Sequence, residues 1–391
     1  MKQSFIPAFL KLYGSPPQLL SSAPGRINII GEHTDYNLGY VLPAALNLQN
    51  YCLLSQRPDE KVCFWAENFK ENDEFLLGKI SFSEDKKWVN YIRGIFWVLE
   101  QEGFDLQGIN GFLWGDIPLE AGLSSSAALE VSVLNGLRAL FRLDLEPIRR
   151  VKLARRAENE FVGVQCGIMD QFISVFGEKN KALFLDCETL ESKLLPLRLE
   201  KEGLRICVYE SGIKRELASS EYNKRRDDSS RALDQLKKFG ASDYKGTTLS
   251  FLENRRKEME GVLFRRARHV ITENQRVREA VQALEKDDFR LLGELIFGSH
   301  QSLRDDYEVS CPELDLLYEV AREFPGCYGA RLTGAGFGGS GIALVRKERI
   351  PAFRAKLLKE AARRKFVRPE FYEVEVGEGA RANFLAEEDN R

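Results

Sequence analysis

Arg26, Glu32, His33 and Asp35 fall within ten residues of one another, in a dense polar run that follows a short apolar strand between Ser22 and Gly39. Alternating donors and acceptors on one rigid turn suit the neighbouring hydroxyls of a sugar, and Arg26 can place a fixed positive charge near a transferring phosphoryl group. A solvated surface turn would account for the same residues. A second cluster, GDIPLEAGLSSSAAL from Gly115 to Leu129, sets Gly122 and three serines, Ser124, Ser125 and Ser126, at the mouth of a helix. Helix N-termini offer N–H groups and the positive end of the macrodipole, so this stretch reads as a phosphate site. One of its hydroxyls can reach Mg²⁺. The alternative is an ordinary serine N-cap, but a cap needs one serine and not three.

A third cluster, RLTGAGFGGSGIALV from Arg331 to Val345, matches GxGxxG at Gly334, Gly336 and Gly339. A dinucleotide fingerprint must open a helix within a βαβ unit, and here a strand follows instead. The loop is either a tight hairpin whose glycines supply positive φ or bare backbone brought close to a ligand. Two carboxylates complete the set. Asp170, in CGIMDQF, is either a buried structural acceptor or a base that takes a proton from a substrate hydroxyl. Glu158, on a predicted helix, can complete a Mg²⁺ site with a serine, because Mg²⁺ is usually held by carboxylate plus phosphate. No GxxxxGK[ST], HRD or DFG occurs, so a nucleotide here is bound neither as in a P-loop protein nor as in a protein kinase.

The elements that must position these residues follow from periodicity. Ala127, Val131, Leu134 and Leu137 or Leu140 recur at helical steps after the serines, and Val151 to Phe161 reads as a helix. Two strands should flank the third glycine cluster. Glu188 to Gly203 is a charged, loosely patterned connector and the expected domain boundary. From Glu216 to Leu284 the spacing is helical with mixed-sign charge, and more helix runs to Leu303. Ile350, Phe353, Leu357, Leu358 and Ala361 share one helix face, and YEVEV from Tyr372 to Val376 suggests a closing strand. The mixture is an α+β chain of two domains, 1–195 and 196–391, with the site in the cleft between them.

Composition sets the outer bounds. At roughly 150 residues per domain, 391 residues give two or three domains. Hydrophobic residues at 43% are enough for a sizeable core, and a formal charge of -2 removes the basic field that nonspecific nucleic-acid binding needs. Seven scattered cysteines with no CxxC suit a reduced, cytoplasmic protein, and three histidines leave no HExxH or similar set for zinc. No signal peptide is read in MKQSFIPAFLKLYGSPP, and no apolar run approaches a membrane span. Without a charge run or an exposed heptad seam to suggest a protein partner, a monomer is expected.

Taken together, the segments resemble the galactokinase family, within the GHMP superfamily of sugar and metabolite kinases. GRINIIGEHTDYNLGYVLP is similar to the signature of that family, GLSSSAALE to the shared ATP-binding motif and LTGAGFGGS to the third superfamily motif. AENEFVGVQCGIMDQF, LASSEYNKRR and SLRDDYEVSCPELD extend the resemblance along the chain. It implies a ribosomal-S5-like N-terminal α+β domain against a ferredoxin-like C-terminal domain, with ATP and galactose as small-molecule substrates and Mg²⁺ as cofactor. Asp170 would be the base and Arg26 its electrostatic partner, with Glu32, His33, Asp35, Gly167 and Tyr222 on the sugar. Gly122, Leu123, Ser124, Ser125, Ser126, Ala127, Gly334 and Gly336 would lie at the ATP, Trp88 near the adenine, and Ser126 with Glu158 at Mg²⁺. The family usually has glycine where this chain has Glu120, and histidine where it has Arg215. A kinase for N-acetylgalactosamine, a mevalonate or homoserine kinase, and a non-catalytic sugar sensor are the rival readings.

Overall fold

A computed structural model describes residues 5–118, 121–213 and 218–385; Glu120 and Arg215 lie outside them. The first half is built on strands β1 (Leu19–Asn28), β2 (Tyr40–Val41), β3 (Pro43–Gln56), β4 (Lys61–Ala66), β5 (Glu71–Leu76) and β6 (Ile109–Gly115), with β7 (Lys181–Asp186) and β8 (Ser192–Pro196) closing it. The second half supplies β9 (Leu204–Glu210), β10 (Cys327–Thr333), β11 (Ser340–Arg346), β12 (Glu370–Val374) and β13 (Arg381–Phe384).

Three sheets result. The largest runs β13-β1-β3-β6-β4-β5, antiparallel except where β4 lies parallel to β6. Helices Val89–Gln101 and Ser125–Leu140 pack on it through an apolar cluster that includes Ile92, Ile95, Val133 and Leu137. A small sheet, β2-β7-β8, lies beside it. The third sheet runs β10-β11-β9-β12, antiparallel throughout. With helices in the β9–β10 and β11–β12 connections, that order is the split βαβ arrangement of a ferredoxin-like domain. Ile350, Phe353, Leu357 and Ala361 of helix Ile350–Arg363 face its core, as their spacing predicts. A further cluster joins Ile27, Ile30 and Leu42 of the first half to Ile206, Val277 and Leu292 of the second.

The structure departs from the sequence reading in detail. The connector Glu188 to Gly203 contains β8, a short edge strand that ends at Pro196 and buries Leu195 against β7. The charged helical run is three helices, Ala218–Lys238, Leu249–Glu253 and Gly261–Glu285. The first stops before Gly240, whose φ of 98° is open to glycine. Only Tyr372 to Val374 of YEVEV lie in a strand, β12, which begins at Glu370; Val376 makes an isolated bridge to Leu46, and the chain closes on β13, which returns to the first sheet and pairs with β1. That strand is largely exposed, so no alternation marks it in the sequence.

Candidate functional site

Arg26 lies on β1 just past a register shift in its pairing with β3, the kind of irregularity that re-aims a side chain. Its backbone N–H donates to the Leu123 carbonyl at 2.9 Å, which fixes the serine turn against the strand. Arg26 is 5% exposed, and its guanidinium makes two parallel bonds to Asp170, from Nε to Oδ1 at 2.7 Å and from Nη2 to Oδ2 at 2.6 Å. Its Nη1 donates to the Gly122 carbonyl at 2.8 Å. Bidentate pairing of this kind is both strong and directional. Asp170 occupies the first turn of helix Met169–Phe176, where the macrodipole favours a negative charge. Ser124, at the N-cap of helix Ser125–Leu140, adopts φ 60° and donates its hydroxyl to the same carboxylate. A non-glycine residue in the left-handed region is strained, and here the strain serves to turn a hydroxyl onto Asp170.

The polar run forms the opposite wall. Glu32 is buried, its Oε1 accepts from the Gly334 N–H at 2.6 Å and the Thr333 hydroxyl at 3.2 Å, and it forms an ion pair with the Arg331 guanidinium at 3.0 Å. Asn28 donates to its Oε2 at 3.0 Å. The first and third clusters are thus tied together across the two halves. His33 puts Nε2 3.2 Å from the Ala335 carbonyl and Nδ1 2.7 Å from the Tyr36 hydroxyl. A carbonyl only accepts, so the network assigns the proton to Nε2. Burial, and then the neighbouring His269, holds His33 well below its ordinary pKa, and the ring is neutral. Burial, and then the charge of Asp170, raises Asp35 to about 6. Gly167 lies so close that a Cβ there would overlap the Asp35 carboxylate. Tyr222 sets its ring 5.7 Å from His33 and 5.3 Å from Tyr36.

Glu158 sits on a π-helical turn, Ala157–Val162, that continues helix Pro147–Arg156; such turns often mark functional sites. It is buried, meets the Ser126 hydroxyl, and accepts from Gln171 Nε2 at 2.6 Å. Burial, and then Asp170, pushes it up to about 7. Glu130, one helical turn beyond Ser126, is wholly buried against it. Among the described residues neither glutamate has an ion pair, and no group of three or more His, Cys, Asp or Glu forms a metal cage. An oxygen-only pair, the Ser126 hydroxyl and the Glu158 carboxylate, opens onto the cleft and fits Mg²⁺, which keeps substrate phosphates and water among its ligands.

These walls enclose a cavity of about 800 Å³, lined by Arg26, Glu32, His33, Asp35, Gly167, Asp170 and Tyr222 on one side and by Gly122, the three serines, Glu158 and Gly334 on the other. A small adjoining cavity of about 40 Å³ contains Ser125 and Trp88. Trp88 stacks on Phe69 with centroids 5.6 Å apart and donates Nε1 to Glu71 at 2.8 Å. Leu123 and Ala127 are buried beneath the serine turn. Gly336 lies behind the rim, where a Cβ would meet the Val309 carbonyl. Clefts of similar size elsewhere, beside Arg142 and beside Tyr328, have no such convergence of buried charge, so size does not select the site. The sequence reading did not single out Glu130, Gln171 or Tyr36. Glu130 carried one signal, a carboxylate inside the otherwise apolar helix AALEVSVL.

The chain matches three family descriptions: the galactokinase galactose-binding signature at residues 7–56, the GHMP kinases N terminal domain at 90–178 and the GHMP kinases C terminal at 280–363. It is 42% identical to a galactokinase of Staphylococcus carnosus, over 95% of this chain and 97% of that protein. It is 44% identical to a galactokinase of Thermotoga petrophila, over 91% and 98%. The crystal structure of Lactococcus lactis galactokinase complexed with galactose superposes with a TM-score of 0.93 at 36% identity, covering 97% of this chain and 98% of that one.

Proposed function

The chain belongs to the galactokinase family of GHMP kinases, and from that premise we infer which side chains carry its reaction. The reaction is ATP-dependent phosphorylation of galactose at the C1 hydroxyl, giving galactose 1-phosphate and ADP. The hydroxyl oxygen attacks the γ-phosphorus, the bond to the β,γ-bridging oxygen breaks, and ADP leaves with the electron pair. We assign Asp170 as the base that orients the hydroxyl and receives its proton. Arg26 fixes that carboxylate and supplies positive charge beside the phosphoryl group in flight. Glu32, His33, Asp35, Gly167 and Tyr222 hold the sugar. The serine turn Gly122 to Ala127, with Gly334, takes the phosphates, and Trp88 the adenine.

The observation that carries this assignment is the Arg26–Asp170–Ser124 contact, which sits where the sugar-facing wall meets the phosphate-facing helix end. We place Mg²⁺ at Ser126 and Glu158; when bound, it spreads the charge that develops on the transferring phosphoryl group. The protein acts as a cytoplasmic monomer in this reading, to which free cysteines at all seven positions are suited. No helix among the described residues is long and apolar enough to cross a membrane.

The test is Mg·ATP-dependent ADP release by the purified chain against galactose, N-acetylgalactosamine, glucose, mevalonate and homoserine. Turnover on galactose is expected and the metabolite acids should be inert. Turnover on N-acetylgalactosamine in preference would move the substrate assignment. Galactose binding without any turnover would replace the enzyme reading with that of a sensor.

A further inference from the structure

Ser126 and Glu130 lie four residues apart on one face of helix Ser125–Leu140, and Glu158 meets both. Gln171, next to Asp170 on helix Met169–Phe176, reaches between the two carboxylates. Its amide nitrogen is 2.6 Å from Glu158 Oε2 and 3.3 Å from Glu130 Oε2, so both of its protons are committed. The Cys166 sulfur also lies 3.4 Å from the same Glu158 oxygen, with its single proton shared with the nearer Asn159 Oδ1 at 3.1 Å. Gln171 and Glu130 are wholly buried and Glu158 is 5% exposed. Glu130 Oε1 and Gln171 Oε1 have no hydrogen-bond partner among the described residues. Two carboxyl groups buried side by side without a counter-charge, one of them with an idle oxygen, are costly, and such an arrangement persists where a function needs it.

We propose that Gln171, backed by Glu130, is a positioning residue that holds the Glu158 carboxylate in the orientation in which it takes the divalent cation of the nucleotide. The proposal rests on the assignment of Glu158 to that cation. Gln171 is a donor pinned between two acceptors, and so it sets the rotamer of Glu158 while leaving the carboxylate free to face Ser126. Outer partners of this type orient a ligand and raise its affinity without touching the metal. Because Gln171 follows Asp170 directly, the same helical turn places both the base and the cation's carboxylate.

The experiment measures Mn²⁺ binding, by electron paramagnetic resonance of the free ion, to the full chain with galactose and a non-hydrolysable ATP analogue. The variants are Glu158→Gln, Gln171→Met, and Gln171→Met combined with Glu130→Gln. Gln171→Met should weaken Mn²⁺ by about tenfold. Its galactose affinity by calorimetry should stay near that of the parent, and its turnover should recover at saturating Mg²⁺. In the double variant the amide introduced at position 130 can donate to Glu158, and most of the lost affinity should return. Gln171→Asn, which withdraws the amide by one methylene, gives the same readout should the methionine variant not fold. If Mn²⁺ binds the Gln171 variants as tightly as the parent while Glu158→Gln weakens it, the positioning role is wrong and the assignment of Glu158 stands. Failure of the double variant to regain affinity also overturns the role. Unchanged Mn²⁺ affinity in Glu158→Gln overturns the assignment of Glu158 itself.

Discussion

Arg26 grips Asp170 through two parallel hydrogen bonds of 2.7 and 2.6 Å, so the carboxylate is held rigid beside the N-terminus of the serine helix. Rigidity of this kind is what a base needs, because proton transfer depends on placement before it depends on basicity. Asp170→Asn keeps the shape and one acceptor but removes the basic oxygen. Turnover is expected to fall by about 10²- to 10⁴-fold, with galactose affinity by calorimetry within a few-fold of the parent. The thermal midpoint should also drop, since Arg26 loses the charge that compensates its burial. Near-normal turnover would refute the role.

Gly167 has no room for a side chain. A Cβ would overlap the Asp35 carboxylate, while the backbone at this position has no positive φ that would itself exclude alanine. Gly167→Ala should therefore fold with little change in thermal midpoint, and the cost should fall on Asp35. Displacing by about an ångström the carboxylate proposed to hold the sugar is expected to raise the galactose KM at least tenfold or so, with the ATP KM little changed. Equal losses for both substrates would place Gly167 elsewhere in the mechanism.

How much of this could be read in the sequence depended on whether a residue's role leaves a local signal. The serine turn did, because three hydroxyls after a glycine and before an apolar helical run exceed what a cap requires. So did the third glycine cluster, which is a hairpin between β10 and β11 with positive φ at Gly334, Gly336, Gly338 and Gly339. The partners of Glu32 did not, because Arg331, Thr333 and Gly334 lie some three hundred positions away and only the fold brings them to it. The two-domain α+β class followed from mixed periodicity, whereas β8 and β13, being edge strands with few buried residues, carried no alternation to find. Gln171 was invisible for a different reason: a polar residue beside a recognised aspartate reads as surface until its burial is known.

Trp88 offers a stacked, half-buried indole that lines, with Ser125, the small cavity adjoining the site. If it carries the adenine, removing the ring should cost nucleotide binding alone. Trp88→Ala is expected to raise the ATP KM by about tenfold, the scale of one base–aromatic stack, and leave the galactose KM within about twofold. Trp88→Phe should recover part of the loss because a flat face remains. A variant that raises both constants together would mean that the ring supports the fold of the domain and not the nucleotide.

Asp35 gives the site a pH dependence whose sign is fixed. Burial, and then the charge of Asp170, raises its pKa from 3.8 to about 6. Between those values the folded protein keeps a proton that the unfolded chain has released. The stability this group contributes is therefore full below the unfolded value and is lost as pH rises through about 6. Substrate binding runs the other way. If the ionised carboxylate accepts from sugar hydroxyls as proposed, protonation removes an acceptor, and galactose affinity should weaken as pH falls through about 6. Asp35→Asn should bind galactose more weakly at neutral pH, show no such fall on acidification, and be more resistant to heat at neutral pH because a buried charge is gone. Calorimetric titration of galactose into parent and variant from about pH 5 to about pH 8 reads both slopes, and parallel profiles would assign the titration to another group.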